Sequence, residues 1–410
     1  MTQINLTEMG IICALGAGKK SCSEGLRTNT QQNLQTFELN KEADSDSGTT
    51  IAAKIPDQWL NPLFGEKKYT RNNRILLTAA EQIKTNIEEL KTRYPKDRIG
   101  IVLGTSTSGI LEGEQAVESR SLNGDFPPEF HYSIQEMGDP ALCLASYFEL
   151  SGPAFCISTA CSSSGKAFIS ARRLIESGFC DAVICGGADS LCQLTVQGFS
   201  SLEATSNAIT NPFSKNRDGI NIGEGACLFI CEAHQHGDAF ISLAGVGESS
   251  DAHHISAPHP EGEGAKLAMQ AALDDASLDN TQIDYLNCHG TGTHHNDLME
   301  SKAIGSILSP HTLCSSTKPL TGHTLGAAGA IEAGICYLLL SNAATAKPHI
   351  PPMLWDQEHD TELEQVNFVS DASQPKQLTH CMSNSFAFGG SNVSIILRSN
   401  QKLNGKNENR

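Results

Sequence analysis

Basic side chains are scarce in this chain of 410 residues. It contains 29 Lys and Arg residues against 46 Asp and Glu residues, which gives a formal net charge of −17. Proteins that bind nucleic acid neutralise its phosphates with a basic surface, so this balance excludes nucleic acid as the partner. An acidic protein partner would have to bind a local basic patch that outweighs the overall repulsion.

Long apolar runs are also missing. Residues 1–5 lack the basic start and apolar run of a secretory signal, and the longest apolar stretch, around Ala333 to Leu340, is too short to span a bilayer. We therefore expect no signal peptide, no membrane span and a cytoplasmic location. The length exceeds that of a usual single core and predicts two packed halves.

Cysteine is present 14 times, but no two cysteines have the CxxC spacing of a zinc site. So many thiols without the density of a disulfide scaffold indicate a reducing cytosol. The adjacent His294 and His295 lie in a loop pattern in which neighbouring side chains point apart. The sequence therefore predicts no metal and no cofactor.

The segment CISTACSSSG at residues 156–165 carries the strongest chemical signal. Its short apolar run ends in Cys161, and the apolar spacing after it predicts a helix that stops at Gly178. Unpaired backbone N–H groups and the positive end of a helix dipole at such a turn favour a thiolate. An isolated cysteine would more commonly be a buried structural residue, but here we predict that Cys161 is a nucleophile.

Two further segments each place a histidine in a turn rich in Gly and Thr. These are NCHGTGT at residues 287–293, with His289, and STKPLTGHTLG at residues 316–326, with His323. Backbone can approach a ligand closely at such turns, and loops on a rigid scaffold often carry functional side chains. Either histidine alone could be structural; together with Cys161 they form a candidate catalytic group.

With the segment NSFAFGGSN at residues 384–392, these motifs resemble the β-ketoacyl-[acyl carrier protein] synthases of the elongating Cys-His-His type, and the likeness runs from about residue 8 to about residue 398. The resemblance implies an α/β, thiolase-like duplicated fold, a five-layered α-β-α-β-α sandwich that is normally dimeric. It divides the chain into halves at 1–245 and 246–410. No linker composition marks this boundary.

The implied activity is decarboxylative condensation of malonyl-acyl carrier protein with an acyl chain on Cys161, which gives 3-oxoacyl-acyl carrier protein. On the family pattern, His289 and His323 stabilise the enolate, Lys318 supports the site electrostatically and Glu300 pairs with that lysine. The N–H groups of Cys161 and Phe388 form the oxyanion hole, and Phe388 is the gating aromatic residue. Fixed donors aimed at developing charge suit this chemistry.

The resemblance also indicates where substrates and carrier protein bind. Polar side chains at Thr107, His131 and Ser214 are unusual for an enzyme that binds a purely saturated acyl chain, and the family often has an acidic residue at the position of Ser214. The four basic residues between positions 67 and 74 could instead belong to an ordinary solvated helix end. The implied substrate contacts are Thr107, Phe130, His131, Thr291, Thr293 and Phe386, and the implied docking residues are Lys67, Lys68, Arg71 and Arg74.

Several alternatives are disfavoured by single residues. A thiolase has a second catalytic cysteine before its C-terminal glycine run, but Cys381 lies eight residues before Gly389. Initiating synthases have Asn where this chain has His323, and a non-catalytic chain-length subunit usually lacks the nucleophile. The remaining alternative is a ketosynthase subunit of a specialised type II polyketide or aryl polyene pathway. Such a subunit could form a homodimer or a heterodimer with a chain-length factor.

Overall fold

The computed structural model describes residues 3–39, 48–66, 69–233, 241–343, 349–370, 374–375 and 377–400. Its strands are β1 (Ile4–Cys13), β2 (Gly16–Ala17), β3 (Leu34–Glu38), β4 (Thr49–Ala53), β5 (Ile99–Gly104), β6 (Ala154–Ile157), β7 (Ala182–Asp189), β8 (Ile222–Gly223), β9 (Gly225–Glu232), β10 (Ile241–Ser250), β11 (Tyr285–Asn287), β12 (Leu313–Ser315), β13 (His380–Phe386) and β14 (Ser391–Ser399). Its helices are α1 (Lys19–Thr28), α2 (Pro62–Glu66), α3 (Arg71–Glu81), α4 (Lys84–Arg93), α5 (Ile110–Asn123), α6 (Asp139–Phe148), α7 (Ser163–Glu176), α8 (Gln193–Ser201), α9 (Glu263–Ala276), α10 (His294–Ile307), α11 (Lys318–Thr321) and α12 (Ala328–Ala343).

The main sheet repeats one strand order twice. The first half has the order β1-β9-β7-β5-β6, and the second half has the order β10-β14-β13-β11-β12. In both halves the two pairs at the far end are parallel and the others are antiparallel. The halves join where β1 pairs with β10 over three residues. This repeat of topology is the duplication that no repeated sequence motif reveals.

Helices cover both halves in layers. Helices α3 and α6 pack on the outer face of the first half, and α9 packs on the outer face of the second with α10 beside it. Between the halves lie α7 and α12, which contact each other and strands of both halves. The predicted five-layered α/β sandwich is therefore confirmed.

Successive side chains of strand β5 face two different cores. Ile101 and Leu103 face the outer core under α3, whereas Val102 faces the central core around α7 and α12. Strands covered on both faces read as continuous apolar runs, as β5 does. The segment Leu325–Ala343 is apolar and long enough to cross a membrane by composition, but 83% of its most apolar window is buried in the protein. It is thus the core helix of the central layer.

The apolar spacing from Leu76 to Leu90 predicts one helix, whereas the structure has α3 and α4 with a break at Gln82 and Ile83. The side-chain amide of Gln82 bonds both the N–H and the carbonyl of Ile11 in β1, which fixes the break against the sheet. The boundary at residue 245 falls within β10 and stays a prediction.

Candidate active site

Cys161 lies in a tight turn, here called the Cys161 turn (residues 159–163), between β6 and α7. Ala160 has a left-handed backbone, with φ of 52°, a conformation that costs an L-residue roughly 1 kcal/mol or more. Hydroxyl groups hold the turn: Ser163 accepts from the N–H of Thr159 and donates to the carbonyl of Ala160. The turn points the thiol away from the helix, into a cavity.

Burial dominates the electrostatics of the thiol. It raises the pKa of Cys161 to about 11, although the Lys318 ammonium and the N–H groups of Phe388 and Cys161 act in the opposite direction. The N–H groups expected to favour a thiolate at this turn do lower its pKa, but in the free protein desolvation outweighs them. The nearest base is Nε2 of His323, 3.0 Å from Sγ. Burial and Lys318 hold the pKa of His323 well below its usual range, so this imidazole is neutral and can accept the proton.

This pKa predicts how alkylation of Cys161 depends on pH. Only the thiolate reacts, so with a pKa of about 11 the rate should rise about tenfold for each pH unit from pH 7 to pH 10. Iodoacetamide labelling of the free protein, followed on the peptide that contains Cys161, measures this rate. A plateau below pH 8 would show instead that the thiolate forms readily in the free protein.

The two histidines face the thiol from glycine turns. His289 follows β11 and is succeeded by Gly290 and Gly292, with φ of 39° and 77°, and His323 follows Gly322, with φ of 64°. Conformations with positive φ favour glycine. The histidine rings are 5.2 Å apart and nearly perpendicular, and one ligand atom from each histidine and Sγ of Cys161 lie within 4.8 Å of one another. The predicted catalytic group is thus assembled in space.

Lys318 fixes the tautomer of His289. Its ammonium lies 3.4 Å from Nδ1 of His289 and also donates to the carbonyl of that residue. An ammonium can only donate, so Nδ1 accepts and Nε2 carries the hydrogen. Burial and the Lys318 charge hold the pKa of His289 well below its usual range, which keeps the ring neutral. His289 can therefore donate one N–H to a substrate oxygen. The ammonium beside it disfavours a metal ion in the same place.

The carboxylate that pairs with Lys318 is Glu332, not Glu300. Lys318 and Glu332 are 1% and 2% exposed and form a direct ion pair. Glu300 instead accepts the N–H groups of His289 and Gly290, at 2.8 and 2.7 Å, and so supports the His289 turn. Burial raises the pKa of both carboxyl groups to about 7. The expected pairing of Lys318 with Glu300 does not form. The first turns of α12 bring Glu332 to the Lys318 ammonium instead, whereas α10 places Glu300 against the backbone N–H groups of His289 and Gly290.

Loss of this buried pair should reduce stability. Removing one partner of a buried ion pair typically costs about 3–5 kcal/mol, because the remaining charge has no counter-ion. We expect Glu332→Gln to lower the free energy of unfolding by about that amount, measured from urea unfolding midpoints. As a control, Glu261→Gln removes an exposed partner of Lys302 and should leave the midpoint nearly unchanged. Equal shifts in both variants would contradict the assignment.

Cys161 and both histidines line one wall of a cavity of about 510 Å³. Thr291 and Thr293 form part of its polar side, with their hydroxyl oxygens 2.9 Å apart. Phe386, Phe388 and Phe199 form part of its apolar side, and the rings of Phe199 and Phe388 are 5.6 Å apart. The remaining described lining includes Leu202, Glu203, Ala204, Arg217, Asp218, Gly219, Ile220, His254, Ser256, Ala257, Pro258, His294, His295, Asn296, Ala387 and Asn392.

Other predicted substrate residues lie apart from this cavity. Thr107 is buried, and its hydroxyl donates to Asp189 at 2.7 Å and accepts the N–H of Ser190. His131 is exposed and Phe130 is half-buried, with its ring stacked on Phe126. Thr107, Phe130 and His131 are not among the described residues that line the cavity. Their contact with an acyl chain stays a prediction.

The predicted docking cluster needs a correction at Arg71. Its guanidinium bonds the buried carboxylate of Glu224 and the carboxylate of Asp57, and only 12% of its side chain is exposed. The Arg71 guanidinium is therefore already paired with carboxylates of the protein itself. Arg74 is half-buried, and Lys67 and Lys68 lie outside the described residues. Docking through the remaining three basic residues stays a prediction.

Glu332 is the site residue that the sequence analysis missed. A signal existed, because it is the one charged residue in the α12 sequence AGAIEAGICYLLLSNA. A charge in a helix that is otherwise apolar is seldom buried unless it is paired.

Comparison with known proteins agrees with this geometry. Residues 1–236 match the model of the N-terminal domain of β-ketoacyl synthases, and residues 240–350 match that of the C-terminal domain. The 3-oxoacyl-[acyl-carrier-protein] synthase 2 of Staphylococcus aureus is 37% identical over 242 residues, which are 56% of this chain and 57% of that relative, so the match spans little more than half of it.

Solved structures match over more of the chain. A chain of the complex between the ketosynthase ApeO and its chain length factor ApeC from Xenorhabdus doucetiae is 41% identical with a TM-score of 0.87, covering 97% of this chain and 98% of that one. A β-ketoacyl synthase from Burkholderia phymatum is 26% identical with a TM-score of 0.80, covering 97% and 99%. Since the family models match residues 1–236 and 240–350 and these matches include Cys161, His289 and His323, this chain belongs to the β-ketoacyl synthase family.

Proposed function

We propose that the protein catalyses the decarboxylative Claisen condensation of malonyl-acyl carrier protein with an acyl chain carried on Cys161. The product is 3-oxoacyl-acyl carrier protein, as in fatty acid elongation, and the enzyme works in the cytoplasm. One observation carries the proposal. The Cys161 thiol and the two neutral imidazoles meet on one cavity wall, with two backbone N–H groups directed at the sulfur. A nucleophile next to a base and fixed donors is the arrangement that acyl transfer requires.

In the first half-reaction Cys161 takes the acyl group from its carrier. The Sγ proton passes to Nε2 of His323, and the sulfur attacks the thioester carbonyl. The oxyanion that forms accepts the N–H groups of Cys161 and Phe388. Collapse of this intermediate breaks the bond to the carrier sulfur, which leaves as a thiolate and takes the proton back from His323. The acyl group is then bound to Cys161 as a new thioester.

In the second half-reaction malonyl-carrier protein loses carbon dioxide. The electron pair of the broken carbon–carbon bond forms an enolate, whose oxygen accepts N–H donors from His289 and His323. Acylated Cys161 no longer has a proton to donate to Nε2 of His323, so in this step that ring carries its single hydrogen on Nε2. The enolate carbon attacks the acyl carbonyl, the bond to Sγ breaks, and Cys161 leaves as a thiolate. Burial and the Lys318 charge hold the pKa of both imidazoles well below the usual range, so both rings are neutral and each has a single N–H to donate.

The cavity suits the arm of a carrier protein. The Thr291 and Thr293 hydroxyls provide polar partners on one side, and Phe386 and Phe388 pack on the other. Chain length would then depend on a separate channel beside Thr107, with Phe130 and His131 reaching towards the partner subunit. Since the Thr107 hydroxyl bonds to Asp189, its methyl group is what remains to contact an acyl chain.

A second candidate is the same condensation as the active half of a heterodimer with a chain-length-factor subunit. The observation that favours it is the 41% identity to a chain of a complex between a ketosynthase and such a factor, over 97% of this chain, against 37% over 56% for a synthase of fatty acid elongation. The edge strand β6 leaves Phe155 38% exposed, which would suit a partner that continues the sheet.

Reconstitution tests both candidates. The purified protein is incubated with hexanoyl- and malonyl-loaded acyl carrier protein, and the carrier products are weighed by mass spectrometry. We expect a 3-oxo product two carbons longer than the primer, with one carbon dioxide released for each product formed. Product that forms only after a chain-length-factor subunit from the same genome is added would support the heterodimer. Hydrolysis of the substrates without chain extension, with or without that subunit, would contradict the proposed function.

A further inference from the structure

A hydroxyl next to the nucleophile connects two parts of the site. Oγ of Ser162, the residue after Cys161, lies 3.0 Å from Oγ of Ser391. Ser391 ends the segment that we call the Phe388 loop (residues 387–391). Ser162 is fully buried, whereas Ser391 is half-buried. The bond therefore joins the Cys161 turn in the first half to a loop in the second.

The Phe388 loop is held by hydrogen bonds and by contacts of Phe388 and Gly390, but it is open at Gly389. The N–H of Gly390 donates to the carbonyl of Ala387, and Gly389 and Gly390 have φ of 86° and 76°. A side chain built at Gly389 would meet nothing within 4 Å, so the tip has room to move. Glycines of this kind absorb large backbone changes in mobile active-site loops.

The position of this loop decides whether the oxyanion hole is complete. The N–H of Phe388 reaches Sγ of Cys161 in the conformation that the structure shows, so a displaced loop would withdraw this donor. Another tether, from the N–H of Asp251 to the carbonyl of Gly390, holds the loop to the end of β10 and not to the nucleophile. Among the described residues, Ser162 thus supplies the side-chain hydrogen bond between the Cys161 turn and the loop.

We propose that Ser162 is a positioning residue that, through Ser391, holds the Phe388 N–H over the Cys161 sulfur. The inference rests on the proposed function, since it assigns the loop a role in acyl transfer to Cys161. A long acyl chain that displaces the loop would have to break this bond, whereas a short chain would not. Ser162 consequently couples the strength of the oxyanion hole to the length of the chain.

A purely local role for Ser162 must be separated from this one, because its hydroxyl oxygen also lies 2.8 Å from the carbonyl oxygen of Thr159. When the single Ser162 hydrogen is donated to that carbonyl, the Ser391 hydroxyl is the donor of the bond between the two serines. Ser163 provides the matched control. Its hydroxyl bonds within the same turn, to Thr159 and Ala160, and makes no described bond to the Phe388 loop. Loss of either hydroxyl should loosen the Cys161 turn. Only the effect of losing the Ser162 hydroxyl should be non-additive with the effect of a change at Ser391.

The test is a double-mutant cycle on single-turnover acylation of Cys161 by acetyl-carrier protein. Ser162→Ala and Ser391→Ala are each expected to slow acylation about two- to tenfold, the range of one hydrogen bond. The double variant should be no slower than either single one, whereas the effects of Ser163→Ala and Ser391→Ala should multiply. Ser391→Thr keeps the hydroxyl and should restore the rate. With decanoyl-carrier protein the loss at Ser162 should be smaller.

Multiplying effects at Ser162 and Ser391, or equal losses for acetyl and decanoyl chains, would overturn the proposal. The same cycle on alkylation of Cys161 by iodoacetamide does not depend on the reaction. If the effects of the two substitutions on alkylation are coupled, the contact between Ser162 and Ser391 is upheld, even when no carrier substrate acylates the protein. A failure of acylation by every carrier substrate would contradict the proposed function and not this contact. Independent effects in alkylation would reject the contact.

Discussion

Cys161→Ala is expected to abolish condensation, because no other described thiol meets the two histidines. The acyl group must form a thioester with a sulfur that lies beside a base and under the Cys161 and Phe388 N–H groups. Single-turnover assays with hexanoyl- and malonyl-carrier protein would measure the loss. Loss of a triad nucleophile commonly removes roughly a millionfold in turnover, so product should fall below detection.

Cys156→Ala is the matched control for this experiment. Cys156 lies five residues upstream on β6, is half-buried, and burial raises the pKa of its thiol to about 12. It makes no described contact with either histidine, so turnover should be retained. Condensation by Cys161→Ala, or acylation of Cys156 in the unaltered protein, would contradict the assignment.

Replacing either histidine should mainly abolish the release of carbon dioxide. Removing one preorganised donor to a developing oxyanion costs about a hundredfold to a thousandfold in rate. We expect losses of that size in malonyl decarboxylation for both His289→Ala and His323→Ala. Because His323 lies 3.0 Å from the sulfur, His323→Ala should also slow acylation, whereas His289→Ala should leave most of it.

His295→Ala controls for general disturbance of the cavity. His295 lines the same cavity on the exposed first turn of α10, but it is not among the residues around the sulfur. Decarboxylation measured as labelled carbon dioxide should remain close to that of the unaltered protein. Full decarboxylation in both His289→Ala and His323→Ala would refute the assigned division of labour.

The nucleophile and both histidines could be predicted from the sequence because each depends on local signals. Gly290, Gly292 and Gly322 have positive φ in the turns that carry the histidines, and such turns leave a visible pattern of glycine and threonine. The strand and helix around Cys161 likewise follow from short apolar runs and spacing. The resemblance to a family then suggested the chemical roles that are proposed for these positions.

Long-range contacts explain what the sequence could not show. Burial of Cys161 depends on the packing of both halves, so the dipole argument at its turn could not include the desolvation that raises the pKa of the thiol. Arg71 appears as a docking residue in a basic cluster, but its carboxylate partner Glu224 is 153 positions away. Lys318 and Glu332 are separated by 14 positions and a turn, and only the fold brings them together.

Mass spectrometry of the peptide that contains Cys161 tests the central claim most directly. The protein is first incubated with hexanoyl-carrier protein alone and then with malonyl-carrier protein. We predict that the hexanoyl mass appears on Cys161 in the first step. It should then leave that peptide in the second, as an equal amount of 3-oxooctanoyl-carrier protein and carbon dioxide forms. An unmodified Cys161 peptide, or an acyl group that stays on it while malonyl-carrier protein is consumed, would contradict the account.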